Sequence, residues 1–115
     1  MKISNKSDHK SEPDVLIDSI LASLQTNYWV IVRSQSPRAD ELSGIRKSER
    51  AERSKLGTFL PTIDLGGGAK GFFTGDLIVL NVGRATFGDD EEAAKKLVRA
   101  LIARRGCRVA TREAA

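Results

Sequence analysis

The apolar residues of this chain come in short runs, and that constrains the fold more than any other feature of the sequence. Tyr28-Trp29-Val30-Ile31-Val32 and Leu77-Ile78-Val79-Leu80 are each fenced by polar residues, whereas a helix that crosses a membrane needs about 18 apolar residues in succession. Runs this short read as strands covered on both faces. The first is aromatic and β-branched, as strands favour, and Arg33-Ser34 ends it. The second is the best candidate for a central strand. With 115 residues, 40% of them apolar and 30% charged, the chain is large enough to bury a core without help.

Residues 1–10 are polar and aperiodic and read as a disordered tail that folding does not need. That leaves 11–112 as one domain. Ser11 with Asp14 resembles a capping box, Pro13 suits a first helical turn, and Ile17, Ile20, Leu21 and Leu24 form one stripe. Together they predict a helix over 13–26. Residues 35–57 predict only a weak third helix over 39–56, because its stripe of Leu42, Ile45, Glu49, Glu52 and Leu56 includes two carboxylates. Phe59, Ile63 and Leu65 alternate, and Pro61 marks an edge strand or a bulge. After the glycine-rich loop, Gly75-Asp76 reads as a hairpin turn between Phe72-Phe73-Thr74 and a strand over 77–82.

The last helix, over 89–105, opens on Asp89-Asp90-Glu91-Glu92 and closes on Arg104-Arg105, which complements the helix dipole. Gly106 is its expected left-handed cap. Its buried stripe is Ala94, Leu97, Val98, Leu101 and Ile102, and Cys107 to Thr111 can add a terminal strand. The whole predicts an α+β two-layer sandwich. A small antiparallel or mixed sheet of roughly four or five strands would carry the two main helices and the weak third one.

Charge is segregated along the chain. Residues 58–92 hold Lys70 and Arg84 against Asp64, Asp76, Asp89, Asp90, Glu91 and Glu92. Residues 93–115 hold Lys95, Lys96, Arg99, Arg104, Arg105, Arg108 and Arg112 against Glu113. A second basic block holds Arg46, Lys47, Arg50, Arg53 and Lys55, with Arg46, Arg50 and Arg53 on one helical stripe. Such blocks build a local positive surface out of a net charge of only +4.

Catalytic readings find little to work with. One histidine, His9, lies in the polar tail, and one cysteine, Cys107, excludes an internal disulfide and a cysteine zinc site. No base is placed to activate a nucleophile. The side chains of Asp89 to Glu92 point about 100° apart on a helix and cannot share an ion, which leaves Asp64 with Asp76 as the one acidic pair to test. The loop of Gly66, Gly67, Gly68, Lys70 and Gly71 has the look of a phosphate cradle, but the residues after it read as strand rather than helix.

The expectation is therefore a non-enzymatic binding module with no cofactor and no metal. It would place Arg46, Lys47, Arg50, Arg53 and Lys55, with Arg99, Arg104, Arg105 and Arg108, against nucleic-acid phosphates. An acidic protein surface met by the same patch, as by a small inhibitor or assembly factor, is the second expectation. A phosphate- or nucleotide-binding enzyme centred on Gly66 to Gly71 is the third. A homodimer fits any of these. No membrane partner is expected, and the N-terminus carries no apolar signal stretch, which points to the cytoplasm.

Overall fold

The computed structural model describes the backbone of residues 12–114 and the side chains of residues 12–105. Helix α1 spans Glu12–Leu24, with Glu12 and Asp14 in its first turn, where acidic groups favour the dipole. Its expected stripe faces inward: Ile17 is buried, and Ile20, Leu21 and Leu24 pack half-buried beside it. Ser11, the expected capping residue, lies outside the described residues.

The chain passes from α1 straight into a 3-10 segment, Gln25–Trp29. This segment takes up Tyr28 and Trp29, which the sequence assigned to a strand, so β1 is only Ile31–Arg33. Tertiary contact is the reason. The Tyr28 ring turns inward onto Gly75, where an added Cβ would fall 2.0 Å from ring carbon Cδ2.

The single weak helix expected over 39–56 is two helices, α2 over Pro37–Ser43 and α3 over Lys47–Lys55. Gly44 divides them with a φ of +79°, a left-handed conformation that glycine adopts without steric cost. Ser36 caps α2 by accepting the Arg38 amide at 3.0 Å, and Arg84 donates to the Ser43 carbonyl at its other end.

Strands β2 (Ile63–Gly66) and β3 (Ala69–Phe73) form a hairpin, and the sheet order is β1-β3-β2, antiparallel throughout. β2 lies at the edge and carries a register shift between Asp64 and Gly66, while Pro61, expected to mark an edge strand or a bulge, precedes the strand. Pairing sets Val32 opposite Phe72 and Ile63 opposite Gly71.

The expected central strand over 77–82 is instead part of helix α4, Thr74–Phe87. A short apolar run has no period of its own, and burial decides its state. Here Leu77, Val79, Leu80 and Gly83 are buried, as in a helix surrounded by neighbours. Gly75-Asp76 is accordingly the first turn of α4 and not a hairpin. Gly83 lets α5 approach, since a Cβ there would fall 2.4 Å from Leu97 Cδ2.

Helix α5 spans Glu91–Ala114, running through Gly106 instead of stopping there, and leaves no strand over 107–111. A glycine inside a helix costs only about 1 kcal/mol, which its helix-compatible neighbours tolerate. Asp90 caps the start by accepting the Ala93 amide at 2.9 Å. Leu97, Val98 and Leu101 are buried as expected, whereas Ile102 is 42% exposed.

Among the described residues the protein is thus α+β, with five α-helices and a three-stranded antiparallel sheet in place of four or five strands. Val32 and Phe72 carry the sheet into one core with Ile17, Leu60, Leu77, Leu97 and Leu101. No helix among the described residues is long and apolar enough to cross a membrane.

Candidate nucleic-acid interface

Local structure already removes several of the predicted cations from the surface. Arg50 is 4% exposed and not part of an outward stripe. Its Nη1 donates to Asp40 Oδ1 at 2.5 Å and to the Ile45 carbonyl at 2.8 Å, and its Nη2 donates to the Ser34 carbonyl at 2.8 Å. One guanidinium thus ties α3 to α2 and to the end of β1, which is why a helix with almost no apolar stripe stays anchored. Arg53 bonds Glu49 through Nε at 3.0 Å and Asp89 through Nη1 at 3.0 Å. The bond to Asp89 raises the guanidinium's pKa and holds the Asp89 carboxyl below its ordinary value.

The arginines at the end of the last predicted helix are engaged as well. Arg104 pairs with Asp18 at 2.8 Å and with Asp14 at 3.4 Å, fastening α5 to α1. Arg105 donates to the Pro61 carbonyl at 3.0 Å and to Asp76 Oδ2 at 3.4 Å. The other Asp76 oxygen accepts the Tyr28 hydroxyl at 2.7 Å. Burial pushes the Asp76 carboxyl above its ordinary value, although the Tyr28 hydrogen bond and Arg105 both pull it down. Burial, and then the Asp76 charge, push the Tyr28 phenol well up. Arg105 Nε is buried without a partner among the described residues. Arg99 is exposed, Lys55 reaches Glu52 at 3.7 Å, and the Arg108 side chain lies outside the described residues.

Six exposed cations remain without an ion pair or side-chain hydrogen bond among the described residues: Arg33 in β1, Lys70 in β3, Arg46 and Lys47 at the start of α3, and Lys96 and Arg99 on α5. Two of these, Arg33 and Lys70, sequence reasoning missed as a pair. Their signal is non-local, since they meet only because β1 pairs with β3 and sets Arg33 opposite Gly71. The Ser34 amide then donates to the Lys70 carbonyl at 2.9 Å. Two adjoining hollows open here and share Ser34 in their walls. One, of about 370 Å³, lies between α3 and the sheet, with Lys47, Ser54 and Thr62 at its rim and Phe59 and Phe72 below. The other, of about 330 Å³, is lined by Arg33, Gln35 and Lys70. No side chain caps the N-terminus of α3 beside Arg46 and Lys47.

The glycine loop is the β2–β3 hairpin turn, with Gly66, Gly67 and Gly68 all at positive φ. Asp64 Oδ1 accepts the Gly66 amide at 2.9 Å, and Asp64 lies opposite Lys70. One of the loop's own amides is therefore already spent on a carboxylate. Asp64 and Asp76 do not form an acidic pair: the first sits on exposed β2, and the second is enclosed by Tyr28 and Arg105. Among the described residues no three His, Cys, Asp or Glu groups gather to hold a metal ion. Comparison with family models, with curated proteins and with solved structures finds no match.

Proposed function

We propose that this protein is a small non-enzymatic module that holds nucleic acid by its phosphates, with the contact centred on Arg33, Arg46, Lys47 and Lys70. The observation that carries this reading is that three exposed, unpaired cations, Arg33, Lys47 and Lys70, line two adjoining hollows, with exposed Arg46 next to Lys47 in the chain. Phosphate neutralisation needs cations that are free to release their counterions, and a guanidinium already spent on carbonyls or carboxylates has little to add. The uncapped N-terminus of α3 supports the same reading, because its amides and dipole favour a phosphate. Base-specific recognition has no support here, since no aromatic side chain stands free over the patch. A nucleotide site at the glycine loop has less support, because Asp64 already occupies the Gly66 amide.

The test is fluorescence anisotropy with labelled single-stranded DNA, duplex DNA and RNA, titrated across salt concentrations. Binding should weaken linearly in log salt. The triple variant Arg33→Ala, Lys47→Ala, Lys70→Ala should make the slope shallower by roughly 2–3 units. No binding of the wild-type chain at low salt would defeat the proposal, as would a triple variant that binds unchanged. Polyglutamate that displaces every nucleic acid at equal charge would assign the patch to an acidic protein surface instead.

A further inference from the structure

The open edge of β1, which shares Arg33 with the phosphate patch, carries a second inference from a different observation. Its hydrogen-bond accounting follows from the ladder. The Thr74 amide donates to the Val30 carbonyl at 2.8 Å and the Ser34 amide to the Lys70 carbonyl at 2.9 Å, with Val32 opposite Phe72 between them. Antiparallel alternation then turns the backbone groups of Val30, Val32 and Ser34 toward β3 and those of Ile31 and Arg33 away from it. The Arg33 carbonyl accepts the Ser36 amide at 3.1 Å. The Ile31 amide and carbonyl and the Arg33 amide are left facing outward.

Edges of this kind are usually blunted by a lysine, a proline or a covering loop. This one instead carries Val30, 53% exposed, and Ile31, 43% exposed. Beside it runs a groove of about 610 Å³ that has Leu24, Asn27, Thr74 and Ile78 in its walls and Arg33 and Arg38 at one end. No carboxylate lines the groove. Arg38 reaches Glu41 only at 3.5 Å, across an exposed pair.

We infer that the β1 edge accepts an extended segment of a partner protein as a fourth strand, one that alternates apolar and acidic side chains. The outward groups of Ile31 and Arg33 supply the backbone bonds, Leu24 and Ile78 receive the apolar side chains, and Arg33 and Arg38 receive the carboxylates. The charges select this occupant over a second copy of the chain. An antiparallel copy would set Arg33 opposite Ile31 of that copy and gather both chains' Arg33 and Arg38 at a groove lined by no carboxylate, where like charges destabilise the pairing.

The probe is a blocked peptide of alternating Val and Glu, compared by calorimetry and by ¹⁵N amide shifts with its backbone N-methylated form and with a Val–Lys peptide. The Val–Glu peptide should bind, should move the Ile31 and Arg33 amides most, and should outcompete both others. Ile31→Pro removes the outward amide along with the Ile31 side chain, and Val30 before it is already extended at φ −70° and ψ 132°, as a residue preceding proline must be. This variant should weaken the peptide about five- to tenfold and leave nucleic-acid retention unchanged, which separates this inference from the phosphate-binding proposal. Should Ile31→Pro fail to fold, Arg38→Glu decides, because it should shift preference from the Val–Glu to the Val–Lys peptide. Equal binding of the N-methylated peptide would overturn the inference, as would shifts confined to residues away from β1 or a preference that Arg38→Glu leaves in place. A dimer that Ile31→Pro dissolves would assign the edge to a second copy instead.

Discussion

Gly75 and Asp76 are neighbours in the first turn of α4, and both are decided by Tyr28. A methyl group at Gly75 would fall 2.0 Å from the Tyr28 ring, and that ring is pinned by the 2.7 Å bond from its hydroxyl to Asp76. Gly75→Ala gains about 1 kcal/mol of helix propensity, but overpacking against a fixed ring costs about 1–3 kcal/mol or more. Urea unfolding should show a net loss of stability, and a gain would mean that the ring moves aside freely. Asp76 makes its own prediction. Burial raises its pKa in the folded chain, so the folded state binds that proton more tightly than the unfolded state. Its contribution is then fullest below the ordinary carboxylate value of about 3.9 and is lost as pH rises through the raised value. Asp89, lowered by Arg53, acts in the opposite direction, but it is exposed and small in effect. The stability of wild type minus that of Asp76→Asn should therefore be smaller at about pH 7 than at about pH 4. A difference that grows with pH would contradict the assignment.

At the scale of elements, α3 shows how a helix without an apolar face is held. Leu56 beyond its end is 61% exposed, and the only buried residue of the helix is Arg50. Arg50→Ala would leave the Ser34 carbonyl and Asp40 without their donor and the Ile45 carbonyl with the Ser43 hydroxyl alone. Asp40 is half exposed, so the cost comes mainly from the unsatisfied carbonyl and is about 1–3 kcal/mol. Arg46→Ala, one turn earlier and exposed, should change stability by less than about 0.5 kcal/mol. Equal effects of the two substitutions in chemical denaturation would show that Arg50 is not the anchor. The inward faces of α1 and α5 were legible in the sequence because a 3.6-residue period repeats over several turns. The helical state of 77–82 was not, because four apolar residues satisfy a buried strand and a buried helix equally well. The outward turn of Ile102 escaped for a related reason: period places a residue near a stripe but does not set how wide the neighbouring element is.

For the whole molecule, long-range ion pairs join elements far apart in the chain: Arg53 to Asp89, Arg104 to Asp14 and Asp18, and Arg105 to Asp76. The exposed pairs contribute only about 0–1 kcal/mol each, and the Asp76 pair is shielded from salt by burial. Raising salt to about 1 M should therefore shift the thermal midpoint by only a few degrees while it abolishes nucleic-acid binding. Parallel loss of fold and binding would mean that the surface pairs carry more of the stability than this. The sequence by itself determined the α+β class and the facing of α1 and α5. Both rest on a local rule, the helical period that repeats over several turns. Only the tertiary structure decided that Leu77–Leu80 is helical and that the basic stripe is split between free and captive arginines. An arginine's role depends on which carboxylate or carbonyl folding brings within hydrogen-bonding distance of it, and that partner can lie 29 residues away, as Asp76 does from Arg105. Arg33 and Lys70 belong to the patch for the same reason, since strand pairing alone makes them neighbours.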